Sequence, residues 1–220
     1  ALYDCISSNV ATEDALQVTL QAAKLAKAGF TDTATAVDTL TTIMNAYNLT
    51  VEQVEAISDK LILTQDLGKA SVGEIGAAFG KVAGLANQAG VSIDEVLAAT
   101  ATLTLTNGSA SESLTALKAA ISNIIKPTAE AKELSQQLRI QFNASSLAAD
   151  GLTVFLQKVQ HATKGNTEKM AQLFGSVEAL NAVLQLTGSG ADNFAYNLEE
   201  ISKASGNTDE ALKGIDSTGN

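Results

Sequence analysis

Apolar residues recur at intervals of three and four along most of this 220-residue chain, the spacing that gathers them on one side of an α-helix. Val37, Leu40, Met44 and Tyr47 form one stripe, Val54, Ile57 and Leu61 a second, and Ile75, Phe79, Val82 and Ala86 a third. Ile93, Val96, Leu97 and Thr100 continue the series, followed by Leu114, Leu117, Ile121 and Ile124. Each set predicts a helix with one buried face. The run ATLTLT at 101–106 alternates with a period of two and in isolation reads as a strand. It continues without a break from a helix opening at Ser92 and has no partner strand nearby, so it is assigned to that helix.

Polar residues punctuate the stripes. Thr50 with Gln53, Ser71 with Glu74, Ser92 with Glu95 and Ser109 with Glu112 all have the spacing of a capping box, in which each side chain satisfies the other's free backbone N–H. Gly29, Gly90 and Gly108 follow periodic segments, where a left-handed residue closes a helix. Pro127 stops one helix and opens another, from 128 to about 138. The stretch RIQFNASSLAADG then loses the period, which predicts a boundary near 140–151 and a short extended piece at 140–142. Four more short helices are expected over 152–162, 167–174, 177–186 and 192–204, before a frayed end.

The pattern predicts an all-α chain of about ten short helices paired into hairpins, as an elongated or two-lobed bundle. A helical core region over 1–140 would precede a C-terminal helical subdomain over 141–220 ending in a flexible tail. LAKAGFTDTATAVDTL from residue 25 and LANQAGVSIDEVLAAT from residue 85 both run helix, Gly turn, helix, a weak internal duplication. The start at Ala1 and the close on GIDSTGN lead us to expect a piece of a longer protein.

Composition narrows the picture. The chain is 45% hydrophobic but 4% aromatic with no Trp, so its core must be built from small aliphatic side chains on closely spaced helices. A formal charge of -10 and a single arginine, Arg139, argue against sequence-specific nucleic-acid binding, which draws on clustered cations. Lone Cys5 supports neither an internal disulfide nor a cysteine metal site, and mildly favours an intracellular setting. There is no uninterrupted apolar run of membrane-spanning length and no signal-peptide pattern. The sequons at Asn48, Asn107 and Asn143 are read as turn residues.

Candidate chemistry is sparse. His161 is the sole imidazole and has no second histidine or HExxH context, so it is read as a solvated or capping residue near a helix C-terminus. The acidic pairs Glu13-Asp14, Asp94-Glu95, Glu199-Glu200 and Asp209-Glu210 lack EF-hand spacing and suit first turns or exposed faces. Gly76, Gly80 and Gly84, at intervals of four, would line one face of a helix; Gly80-Lys81 is followed by Val82, which a P-loop does not allow. These three are assigned to close helix–helix packing. No cofactor, metal or catalytic residue is expected, and the chain reads as a structural or interaction piece. The alternative is a membrane-active helical pore-forming or channel component, motivated by the glycine face and the uncharged stretch 96–111.

With this helical order in place, the central 150 residues resemble the core region of phage tail tape-measure proteins of the lactococcal phage TP901 type. The carriers are AAKLAKAGFTDTATAVDTLTTIMNAYNLT at 22–50, the stretch 69–134 beginning KASVGEIGAAFGKVAGLANQAGVSIDEV, and MAQLFGSVEALNAVLQL at 170–186. Most specific are Gly90, Val91 and Ser92 before Asp94 and Glu95, the turn at Asn107 and Gly108, the run Lys126, Pro127, Thr128, and the run Leu173, Phe174, Gly175. Residues 141–150 depart from the family pattern. The resemblance implies a virion or prophage protein of the tail lumen, present in the host cytoplasm during assembly, that sets tail length, nucleates the tube and is expelled ahead of DNA. Its implied partners are tail tube protein, tail assembly chaperones, baseplate or tail-tip proteins and further copies of itself, with membrane contact during ejection left open.

Overall fold

The computed structural model describes residues 1–218, and among these all regular structure is helical. Fourteen α-helices follow one another: α1 (Leu2–Ser7), α2 (Ala15–Ala28), α3 (Thr33–Tyr47), α4 (Val54–Leu67), α5 (Val72–Phe79), α6 (Ala83–Gln88) and α7 (Ile93–Asn107). Then come α8 (Ala110–Ile125), α9 (Ala129–Gln137), α10 (Ala144–Thr163), α11 (Thr167–Phe174), α12 (Val177–Thr187), α13 (Ala191–Ser202) and α14 (Asn207–Thr218). The tail expected to be frayed is helical through Thr218, and its last two residues lie outside the described ones. The expected extended piece at 140–142 is an irregular connection and not a strand.

The caps account for most helix starts. Ser71 and Ser92 each accept a hydrogen bond from the amide three residues on, while Glu74 and Glu95 accept from the serine amides in return. Gln53 accepts from the Thr50 amide at 2.9 Å. Ser109 caps one way only, because its own amide donates to Asn107 instead of reaching Glu112. Gly90 and Gly108 have φ +75° and +70° as expected. Gly29 does not: its φ is -92°, and Phe30 takes the left-handed position at φ 53°. The glycine is needed for space, since a Cβ there would stand 2.8 Å from Val72 on α5.

Helix α7 forms the centre. Every residue from 95 to 104 is buried, because α4, α8, α12 and α13 surround it. A helix covered on all sides needs no polar face. Its threonines tolerate this by donating to their own helix: Thr100 to the Val96 carbonyl at 2.7 Å and Thr102 to Ala98 at 2.8 Å. That explains how a period-two sequence stays helical. The stripe through Ile75 and Ala86 is divided, because the chain leaves the helix at Gly80 and re-enters at Ala83, with Phe79 and Val82 both buried at the turn.

Residues beyond the 140–143 connection return onto those before it: α12 packs on α8, α13 on α7 and α4, and α14 on α2 and α4. The stretch expected to be turn-like contains the first half of α10, started by Asn143 accepting from the Ser146 amide at 2.9 Å. At Gly151, φ 73°, the helix kinks. Buried hydrophobic residues from Cys5 to Ile201 form one connected core, with Phe142, Phe155 and Phe174 meeting at ring distances of 5.7 and 5.3 Å.

Candidate functional site

The three glycines singled out by spacing occupy different surroundings. A Cβ on Gly76 would lie 1.8 Å from Thr39 Oγ1, so α5 and α3 approach closely there. Gly80 ends α5, and its Cβ would meet Thr42 at 3.7 Å. Gly84, on α6, has nothing within 4 Å.

Three of the four acidic pairs contribute an ion pair, and Glu13-Asp14 has none among the described residues. Asp94 pairs with Lys60 at 2.5 Å, Asp209 with Lys24 at 3.1 Å, and Glu199 with Lys203. Buried Glu95 does more than its sequence spacing announces. While Oε2 accepts from Ser92, Oε1 accepts from the Thr153 amide at 3.0 Å, capping the second half of α10 from another helix. Gly151 makes room, since a Cβ there would stand 2.9 Å from that oxygen. Burial, with the Glu95 carboxylate nearby, pushes the Tyr47 phenol well above its usual range, and its hydroxyl donates to the Val91 carbonyl. Asp59, almost fully buried, accepts from the amides of Gly206 and Thr208 at 2.7 and 2.8 Å and so holds the start of α14. Asn48, Asn107 and Asn143 each begin or end a helix. Cys5 is buried with its sulfur 3.3 Å from the Thr19 hydroxyl.

The surface feature that spacing missed lies beside Arg139. A cleft of about 760 Å³ runs between the 138–141 connection and the outer face of α10, floored by Leu138, Ile140, Val154, Phe155 and Val159. Arg139, Lys158 and His161 stand at its rim. His161, exposed in the last turn of α10, also borders a smaller cleft of about 260 Å³ facing α12 and α13. Lys158 is bound to Asp150 at 2.7 Å, whereas the Arg139 guanidinium has no ion pair among the described residues. A sequence signal was available: residues 126–169 hold six of the fourteen lysines and arginines but four of the twenty-four carboxylates.

Among the described residues, no three or more His, Cys, Asp or Glu side chains gather where they could hold a metal, and no helix is long and apolar enough to cross a membrane. Fold and surface together define an all-helical protein whose interior polar groups tie helices to one another. Comparison with known proteins agrees with that class. The chain belongs to the phage-related minor tail protein family, whose profile matches residues 1–176. It is similar to the probable tape measure protein of Clostridium phage phiCD119, 28% identical over 213 residues, covering 92% of this chain and 23% of that protein. The chain therefore spans about a quarter of that relative's length. No solved structure matches it.

Proposed function

We propose that this chain is a folded, non-catalytic module of a tape-measure protein that acts in tail assembly and in setting tail length from within the tail lumen. What carries the reading is the family match over residues 1–176, joined to a fold whose buried carboxylates and amides are committed to helix packing. The phiCD119 relative, named a probable tape measure protein, supports the finer assignment. A ruler gains reach from length, and a continuous helix rises about 1.5 Å per residue. Here the longest unbroken helix among the described residues is α8 with 16 residues, α10 being interrupted at Gly151, and the chain folds back on itself, so the module contributes docking and assembly, and other parts of the parent chain contribute the measuring. Tail tube protein, assembly chaperones, baseplate or tail-tip proteins and further copies of the chain are its partners in this reading.

An epitope inserted at Ser189, an exposed position in the turn between α12 and α13, tests the placement. The tag should be present in purified tails, inaccessible to antibody before ejection and released with ejection. A tag absent from purified tails, or accessible along their outer surface, would overturn the lumen assignment.

A further inference from the structure

We infer that the cleft beside Arg139 receives the α1–α2 face of a second copy of this chain, so that copies join head to tail. The inference rests on the self-association within the proposed function. Two surfaces on the molecule are both partly apolar and carry opposite unpaired charge. On α2, Leu16 and Leu20 are 61% and 59% exposed and stand one turn apart, continued by exposed Ala23 and flanked on α1 by exposed Tyr3 and Ile6. On α10, Val154, Lys158 and His161 follow the same interval, with Val154 44% exposed over the apolar floor of the cleft. An outward ridge at four-residue spacing facing a groove at the same spacing is the ordinary geometry of helix packing.

Charge makes the match directional. Glu13 and Asp14 adjoin the apolar ridge, Asp14 also lining a cleft with Glu52, and none of the three carboxylates has a cationic partner among the described residues. The cleft presents unpaired Arg139, with Lys132 on the neighbouring cleft that shares Arg139, Ile140 and Gln141 with it. Within one molecule the surfaces are apart: α2 packs mainly on α1, α3, α4 and α14, and α10 on α8, α11 and α12. Because ridge and groove are different surfaces, their contact is heterologous, so copies add to a row or close into a ring and do not stop at a two-fold pair.

The test is sedimentation velocity of the purified 220-residue chain over a concentration series, at low and high salt. The wild type should give species beyond a dimer that diminish as salt screens the contact. Val154→Glu blocks the groove and Leu16→Glu with Leu20→Glu blocks the ridge; all three sites are exposed, and circular dichroism confirms retained helix. Each variant alone should sediment as a monomer. An equimolar mixture of the two should form a one-to-one pair and nothing larger, since one good groove and one good ridge remain. Arg139→Glu should weaken association at least tenfold. A wild type monomeric at every concentration, variants that associate as the wild type does, or a mixture that stays monomeric would each overturn the inference. A negative result removes this contact only, because tail placement is decided separately by the tagged particles.

Discussion

Gly76 and Gly84 have the same spacing signal and opposite surroundings. Gly76→Ala would force a methyl against Thr39, and overpacking of this kind costs about 1–3 kcal/mol, to be read from chemical denaturation. Gly84→Ala adds a methyl into open space on a helix and should stabilise by about 0.4–1 kcal/mol, chiefly by restricting the unfolded chain. Spacing reports only that two residues share a helical face; what faces them depends on where the helix breaks, and the break at 80–82 is set by burying Phe79 and Val82. Tyr47 carries a second prediction. Its phenol is raised by burial, so the folded state holds that proton more tightly than the unfolded state. The resulting stability is fully present below about pH 10, the unfolded value, and is lost as pH rises from there through the raised value. Tyr47→Phe should flatten this alkaline loss while costing about 1 kcal/mol at neutral pH through the hydrogen bond to Val91. An alkaline transition identical in the variant and the wild type would count against the buried phenol as its cause.

At the scale of elements, two helices are started by carboxylates far away in sequence. Asp59 caps α14 across 147 and 149 residues, and Glu95 caps the second half of α10 across 58. Asp59→Ala should release the Gly206 and Thr208 amides to hydrogen exchange, and Glu95→Ala should release that of Thr153. Each should cost about 1–3 kcal/mol. Uniform loss of protection across the chain would instead mean these groups are not local fasteners. Helix content was legible in the sequence because stripes and caps agree, even for α7, where the threonines imitate a strand. The first half of α10 was not, because between Asn143 and the kink at Gly151 only Leu147 is fully buried, too little to set a period. Phe30 was hidden for another reason: Gly29 beside it offers a cheaper left-handed residue, and only the proximity of Val72 shows why the glycine is used for clearance.

For the whole molecule, the sequence carried the family and the absence of a recognisable catalytic motif, but not the surface. The cleft beside Arg139 draws its wall from the 138–141 connection and its floor partly from α10, and no periodic rule joins an irregular connection to a helix that follows it. The charge asymmetry of residues 126–169 was the trace it left. The central claim is that these residues work as a folded module and not as a length of extended ruler. Electron microscopy of tails assembled from a parent gene lacking the codons for residues 25–187 tests it most directly. A folded assembly module predicts absent or malformed tails with no proportional change in length, whereas well-formed tails shortened by about 1.5 Å per deleted residue would contradict it.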